Sequence, residues 1–418
     1  MSHHRIFGIP SFRFLAFITR NAFALSILAA GCAHAAELTL PDAIRLALEK
    51  NPDLRATRGK SEAASGKADQ AGRWSNPELQ LSVEDWPLRG AGWSSSKRLA
   101  GVSQTLPFPG KKKLERDMGA TGVKLSQAEL DLRRLETVRD VKAAFYQVLV
   151  AEGLVKLGGD LVKTAEDLAA AVDKRVDAGA APEQEKLRMA LPLEKARMDL
   201  GDFQRDLFTA RRTLATLLGR ADLGDATVTG FLAETGDLTR VAKLPENHPS
   251  RLAGQARVAQ AELALRRARL EIYPDVTVGM GAGREAITNN SMGEIRFGVP
   301  LPLFDTSSGK RREARANLAV AEAESAAADL RLNRERNAGV ERLRVASEQA
   351  RAYRERIIPK ANEAFSRVQT GYDEGKFPLV DVLETRRTAA EARLAYQQKL
   401  LELNIAQAEL EALAGKLK

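Results

Sequence analysis

The feature that most constrains the fold of this chain is a pattern of prolines and glycines that occurs twice along it. In each copy, two prolines flank an Ala/Arg-rich stretch, and a Leu-Pro pair, a glycine before basic residues and a Gly-to-Pro turn follow. These positions are Pro52, Pro77, Pro107, Gly110, Gly179 and Pro182 in the first copy, and Pro249, Pro274, Pro302, Gly309, Gly375 and Pro378 in the second. Because so many chain-breaking residues recur in one order, the sequence predicts a tandem repeat. Repeat one covers residues 36–220, repeat two covers residues 246–418, and residues 221–245 link them.

Each repeat is predicted to contain a helix, two strands, a long helix, a tight turn and a further helix. In the strand segments apolar and polar residues alternate, as in Leu79, Leu81 and Val83 against Gln80 and Ser82. This period of two is typical of a strand with one apolar face. The four strands are predicted at residues 77–84 and 98–108 in repeat one, and at residues 274–284 and 293–304 in repeat two. The fold class is therefore α+β.

The helices are unusually long. No proline interrupts residues 110–178, and at about 1.5 Å per residue such a helix is about 100 Å long. Residues 309–374 form a similar helix with a kink at Pro359, and antiparallel helices at residues 182–218 and 378–414 follow. The last helix carries two apolar stripes, which favours packing against neighbours on both sides, as in a wall of helices. Helical periodicity alone also allows an ordinary coiled coil or a long bundle.

The first 35 residues indicate secretion. Residues 1–35 contain three arginines and no acidic residue, followed by an apolar run and the stretch Ala33-His34-Ala35. This order is typical of a signal peptide. The single cysteine, Cys32, lies in a stretch that loosely resembles a lipoprotein signal. Two outcomes therefore stay open, which are plain cleavage after Ala35 and lipidation of Cys32.

The number of strands points to assembly. No segment after residue 35 is apolar enough for a membrane helix, so any membrane crossing is predicted to use the strands. Four strands cannot close a barrel, since the smallest membrane barrels have about eight, and open edges in lipid leave backbone groups unpaired. Two chains would give a filled pore, whereas three chains would give twelve strands and room for a channel.

The chain resembles the TolC family of outer-membrane efflux proteins over essentially its whole mature length. The resemblance rests on Leu38-Thr39-Leu40-Pro41-Asp42-Ala43-Ile44, on Asn76-Pro77-Glu78-Leu79 and on the paired Gly-Pro turns. It implies a homotrimer in the cell outer membrane, with a twelve-stranded β-barrel in outer-membrane lipid and a long periplasmic α-helical barrel. It also implies a periplasmic adaptor (a membrane fusion protein) and an inner-membrane RND pump as partners.

The strand entry narrows this resemblance. Asn76-Pro77-Glu78-Leu79 leading to Ser103-Gln104-Thr105-Leu106 is most similar to the heavy-metal branch typified by CzcC and CusC. That similarity implies export of metal cations, while drug efflux and type I secretion stay open as alternatives.

The family's functional positions can be placed on this sequence. The gate maps onto Tyr372 and Glu185, and a hydrogen bond between them would tie neighbouring hairpins shut. Phe377, beside Lys376, stands where the family has a gate arginine, which puts the ion pair of the gate in doubt. The resemblance implies that the adaptor contacts the hairpin tips, which are marked by Gly179, Pro182, Gly375 and Pro378.

Two acidic residues match the family's entrance segment. Asp381 and Glu384 are three residues apart and so lie on one face of a helix. Threefold symmetry would turn each into a ring of carboxylates that attracts cations. A solvated charged helix face explains the same two residues without any ring.

Catalytic and metal-binding patterns are missing from the sequence. After residue 35 the only histidine is His248, which is interpreted as a capping or surface residue, and there is no cysteine. No metal-ligand spacing, phosphate loop or nucleophile-base pair occurs, so neither an enzyme nor a cofactor is expected. The net charge is +9, but basic and acidic residues are interspersed along the chain. This pattern indicates solvated helices and not nucleic-acid binding. A periplasmic coiled-coil scaffold without a pore is the remaining alternative, and the alternating strands argue against it.

Overall fold

The structure is a computed structural model that describes residues 37–85, 95–237 and 244–415. The predicted signal peptide, with Cys32, lies outside the described residues. In chain order the elements are β1 (Glu37–Thr39), α1 (Leu40–Lys50), α2 (Pro52–Ala71), β2 (Glu78–Glu84), β3 (Lys97–Leu106), α3 (Lys111–Asp177), α4 (Gln184–Leu217), β4 (Thr227–Thr229), α5 (Pro249–Arg269), β5 (Val276–Glu285), β6 (Ser291–Gly298), α6 (Ser308–Ala352), α7 (Ile358–Asp373) and α8 (Leu379–Leu413).

The two strand pairs join into one antiparallel sheet with the order β2-β3-β5-β6. β3 ends at Leu106, two residues before the predicted end, and β6 ends at Gly298 although the sequence predicted a strand to residue 304. Pro300 and Pro302 lack the N–H that a ladder needs. β5 begins at Val276, so almost nothing lies opposite residues 299–304. Without a neighbouring strand, residues 299–304 cannot form the backbone hydrogen bonds of a sheet, even if their side chains alternate as in a strand.

The register divides the sheet into two faces. Directly opposite residues share a face, because side chains alternate along each strand. We call one the apolar face; its members include Leu79, Leu81, Val83, Ala100, Val102, Val278, Met280, Ala282, Ile295 and Phe297. We call the other the glycine face; its members include Glu78, Gln80, Ser82, Gly101, Ser103, Gly279, Gly281, Gly283, Glu294 and Arg296.

The helical part is built around α3. This helix packs along α4 and also contacts α8, which in turn packs along α6 and α7. The helix predicted at residues 309–374 with a kink at Pro359 is divided by a π-helical turn, Tyr353–Ile357, which separates α6 from α7. Pro359 lies in the first turn of α7. It cannot donate a backbone hydrogen bond and its ring crowds the preceding turn, which is a common cause of such a break.

The first helix of repeat one and the linker also differ from the expected pattern. The helical stretch divides at Asn51 into α1 and α2. The linker contains β4, which pairs in parallel with β1 so that Leu38 lies opposite Val228. Both residues belong to a buried cluster with Phe145 and Leu214. The strands β1 and β4 are thereby fixed on the middle of α3.

The second helices of the two repeats, α2 and α5, begin in the same way. Asn51 accepts from Leu54 N at 3.0 Å and donates to Leu217 O at 2.9 Å, at the end of α4. His248 accepts from Ser250 N at 3.2 Å through Nδ1 and has a backbone hydrogen-bond partner in Ala412, at the end of α8. Both side chains are buried. Each satisfies an orphan donor of one helix and ties it to another, as the capping interpretation of His248 expected.

Replacing His248 with Asn is expected to make the stability less sensitive to acid. Burial, and then the nearby Arg251 guanidinium, holds the pKa of His248 below its ordinary value, so the unfolded chain binds a proton more readily. The free energy of unfolding therefore falls as the pH drops below about 6.5. Asn keeps the capping geometry seen at Asn51 without titrating. Thermal unfolding of both proteins at about pH 7.5 and about pH 5.5 measures the difference.

An equal loss of stability in both proteins would contradict this account. Glu136, Arg139, Glu335, Arg342 and Glu409 line the same cavity, and they are the same in both proteins. As a control, His248→Ala is expected to lose about 1 kcal/mol at the higher pH, because it removes the cap itself.

Candidate functional site at the helical tips

Two hairpin turns of the same geometry form the tips of the helical part. Gly179 between α3 and α4 has φ +71°, and Gly375 between α7 and α8 has φ +76°. Ala180 N donates to Arg175 O at 2.8 Å, and Lys376 N donates to Gly371 O at 2.7 Å. This pattern is the Schellman ending of a helix, in which glycine supplies the left-handed conformation. Pro182 and Pro378 follow, just before α4 and α8 begin.

The two tips are connected by a hydrogen bond between the predicted gate residues. The Tyr372 hydroxyl donates to Glu185 Oε2 at 3.0 Å. Tyr372 is only 1% exposed and packs in an apolar cluster with Val172, Met189 and Leu379. The structure thus brings the two residues together within one chain, between the hairpin of repeat one and the hairpin of repeat two.

Burial and the hydrogen bond to Glu185 raise the pKa of Tyr372 to about 12. The phenol therefore keeps its proton at neutral pH and donates it to a charged acceptor, which is the stronger kind of hydrogen bond. The stabilisation is fully present below the ordinary tyrosine pKa, near 10, and is lost only as the pH rises through about 12. A link of this kind is insensitive to pH in the physiological range.

A cation that the sequence analysis did not identify lies on the same tyrosine. The Arg175 guanidinium carbon is 4.3 Å from the centroid of the Tyr372 ring, and Arg175 Nη1 donates to the Tyr372 carbonyl oxygen. Such a stacked arginine contributes a cation–π attraction. Arg175 belongs to the hairpin of repeat one, whereas Phe377 belongs to the hairpin of repeat two. The positive charge that contacts Tyr372 therefore comes from the other hairpin. Helical spacing places Arg175 near the tip but does not reveal which tyrosine it meets.

Phe377 has a different role from the arginine that the resemblance implies at its position. A Cβ at Gly371 would overlap the Phe377 ring, so the ring lies flat against the last turn of α7. The neighbouring Lys376 pairs with Glu374 at 2.5 Å, on the surface of the same turn. Among the described residues, neither side chain forms a hydrogen bond or ion pair with Tyr372 or Glu185.

The two acidic entrance residues differ in their surroundings. Asp381 and Glu384 are both exposed near the start of α8. Glu384 forms an ion pair with Arg387 at 2.8 Å, a partner that the sequence analysis did not consider. Since a neighbouring cation reduces the field of a carboxylate, Asp381 is the stronger candidate for attracting cations.

The described residues contain neither a metal-ligand cluster nor a helix that could cross a membrane. Residues 37–85, 95–237 and 244–415 contain no group of three or more His, Cys, Asp or Glu side chains arranged to hold a metal ion. In the same part of the chain, no helix is both long and apolar enough to cross a membrane.

Long antiparallel helices with joined tips at one end and a two-faced sheet at the other define the class of TolC-type channel subunits. The chain belongs to the outer membrane efflux protein family, whose model matches residues 43–220 and 241–416. The solved structure of CusC superposes with a TM-score of 0.78 at 16% identity, covering 97% of this chain and 99% of that one, and has the same fold.

Three named proteins are similar in sequence. The cobalt-zinc-cadmium resistance protein CzcC of Cupriavidus metallidurans is 28% identical over 91% of both chains. The nickel and cobalt resistance protein CnrC of the same organism is 25% identical over 79% of this chain and 80% of its own length. The pyoverdine export outer membrane protein OpmQ of Pseudomonas putida is 24% identical over 90% of this chain and 86% of its own length. The family and the α+β fold predicted from the sequence are confirmed, and the protein is an outer-membrane efflux channel with a large periplasmic helical part.

Proposed function

We propose that three copies of this chain form the exit duct of a tripartite efflux system that exports heavy-metal cations. The periplasmic adaptor and the inner-membrane RND pump are the proposed partners. The single observation that supports this most directly is the similarity to CzcC along 91% of both chains. The outer strands of the sheet, the exposed side of α4 and the acidic residues at the entrance support the same proposal.

The outer strands of the sheet support assembly with further copies. β2 and β6 each have one paired edge within the chain. Their apolar side chains are largely exposed, with Leu81 at 75% and Ile295 at 74%. In lipid an unpaired strand edge is strongly unfavourable, whereas pairing β6 of one copy with β2 of the next satisfies both edges. Three such junctions close a barrel of twelve strands, which is wide enough for a lumen.

The helical part offers a matching surface. Leu187, Leu191, Met198 and Phe208 of α4 are all exposed, and their spacing places them along one side of this helix. Apolar surface of this extent normally marks an interaction site. In the proposed trimer a neighbouring copy packs on α4, and the tips around Gly179 and Gly375 are left free for the adaptor.

The entrance supports cationic cargo. Exposed carboxylates at Asp381, repeated three times around an axis, would concentrate cations and repel anions. The described residues contain no metal-ligand cluster, which suits passage without tight binding. OpmQ, a pyoverdine exporter in name, supports a second candidate cargo, an organic siderophore-like molecule.

A deletion strain tests the cargo. We expect loss of the gene to increase sensitivity to cobalt, zinc and cadmium salts, with sensitivity to a drug panel and growth under iron limitation unchanged. The wild-type gene should restore metal resistance. Restoration should fail with a variant that cannot assemble in the outer membrane. Sensitivity to drugs alone, or an effect limited to iron-poor medium, would refute metal export in favour of organic cargo.

A further inference from the structure

The inference concerns an arginine on the glycine face of the sheet and rests on the proposed function as a channel. Arg296 of β6 donates from Nη1 to Gln80 Oε1 of β2 at 2.6 Å. It also pairs with Glu294 of its own strand, at 2.7 Å through Nη2. Gln80 and Arg296 belong to the two outermost strands of a four-stranded sheet, so the arginine side chain spans the whole face.

Glycines make this span possible. Across the sheet Gln80 lies opposite Gly101, Gly101 opposite Gly281, and Gly281 opposite Glu294. A Cβ at Gly101 would lie 2.8 Å from Met280 O and 3.1 Å from Gly281 Cα. A side chain at Gly101 would therefore collide with backbone on this face. Gly101 and Gly281 instead leave room over the two middle strands, where the side chains of Gln80 and Arg296 meet.

In a membrane barrel the polar face of each strand points to the lumen and the apolar face points to lipid. The glycine face is the polar one, so it is the lumenal face of the proposed channel. The charged residues on it are Glu78, Glu84, Lys97, Glu285, Glu294 and Arg296. Glu294 is neutralised by Arg296, and Gln80 holds the guanidinium over the glycines instead of leaving it free in the water-filled lumen.

We propose that the Gln80–Arg296–Glu294 bridge sets the ion selectivity of the barrel lumen. With the ion pair intact, the charges of Arg296 and Glu294 cancel each other. Removing the arginine charge makes this face more negative by one charge per chain, and removing the Glu294 charge makes it less negative by one. The two changes must therefore shift selectivity in opposite directions, which a merely structural role for the bridge does not produce.

Reversal potentials of purified channels in planar bilayers with a KCl gradient test this assignment. Arg296→Gln is expected to raise the cation-to-anion permeability ratio, and Glu294→Gln is expected to lower it. A unit charge about 10 Å from a permeating ion in water changes its local concentration roughly twofold, so shifts of about twofold or more are expected from three copies. Arg284→Gln is the matched control, because this substitution removes the same charge from the apolar face.

Each outcome decides the question. Opposite shifts for Arg296→Gln and Glu294→Gln, with no shift for Arg284→Gln, support the assignment. Equal shifts for Arg296→Gln and Arg284→Gln, or no shift in a variant that conducts, overturn it while leaving the channel itself intact. If Arg296→Gln fails to assemble, Glu294→Gln still tests the assignment, because glutamine has nearly the same size and shape as glutamate. A wild-type protein that forms no ion-conducting pore would instead overturn the proposed function.

Discussion

Channels carrying Tyr372→Phe together with Glu185→Ala are expected to conduct several times more than the wild type in planar bilayers. The double change removes a hydrogen bond between a buried phenol and a carboxylate, 3.0 Å long, that joins the hairpins of the two repeats. Hydrogen bonds to charged groups contribute about 1.5–3 kcal/mol. In the proposed trimer three copies of the link act together, so its loss is expected to shift the equilibrium strongly towards separated tips.

The stacked arginine gives this prediction a second arm. Tyr372→Phe alone keeps the ring on which Arg175 stacks, so it should open the channel less than Arg175→Ala combined with Tyr372→Phe. A cation–π contact contributes about 0.5–2 kcal/mol. Lys174→Ala is the matched control, because Lys174 is the exposed neighbour of Arg175 on the same helix. Unchanged conductance in the double variants, or an equal increase with Lys174→Ala, would count against the gate.

The pH dependence of conductance provides an independent check. With the pKa of Tyr372 at about 12, wild-type conductance should not change through ionisation of this phenol at any pH below about 9. A rise in conductance between about pH 6 and pH 9 that disappears in Tyr372→Phe would mean that the phenol ionises more easily than its burial implies.

Replacing Gly283 with valine is expected to abolish assembly in the outer membrane. A Cβ at this position would overlap the carbonyl oxygen of Arg98 on β3 and lie 2.9 Å from Leu99 Cα. The β3–β5 ladder joins the strands of repeat one to those of repeat two, so a clash there separates the two halves of the sheet. Backbone shifts of this kind cost about 1–3 kcal/mol or more, and unpaired strands in lipid add to the penalty.

The measurement is the amount of heat-resistant oligomer in the outer-membrane fraction. Gly293→Ala is the matched control, since a Cβ at Gly293 meets nothing nearer than Gly281 O at 4.0 Å. It should assemble normally, whereas Gly283→Val should be degraded or remain outside the membrane. Normal assembly of both variants would show that the glycine face does not need its close backbone contacts.

Much of the architecture follows from the sequence because it is written in local patterns. The period-two alternation of Leu79, Leu81 and Val83 predicted an apolar strand face, and β2 was placed to within one residue of the observed start. The recurrence of Gly179 and Gly375 placed both helical turns, since only a residue that tolerates a positive φ ends a long helix in this way.

The errors arose where an element depends on a distant partner. β6 stops at Gly298 because no strand of the described residues lies beside residues 299–304. β4 forms because Val228 meets Leu38, far away in sequence. Arg175 was missed because a helical pattern gives the face on which a residue lies but not the side chain that it meets.

The sequence by itself determined the tandem repeat and the helix and strand types, which depend on residue order and on chemistry within a few turns of the chain. The resemblance of its motifs to a known family supplied the two residues of the predicted gate. Only the tertiary structure decided that Arg175 stacks on Tyr372, that Arg296 spans the sheet to Gln80, and that Glu384 is paired while Asp381 is free of such a partner among the described residues. The physical reason is that charge and packing depend on distances across the fold, which sequence spacing does not fix.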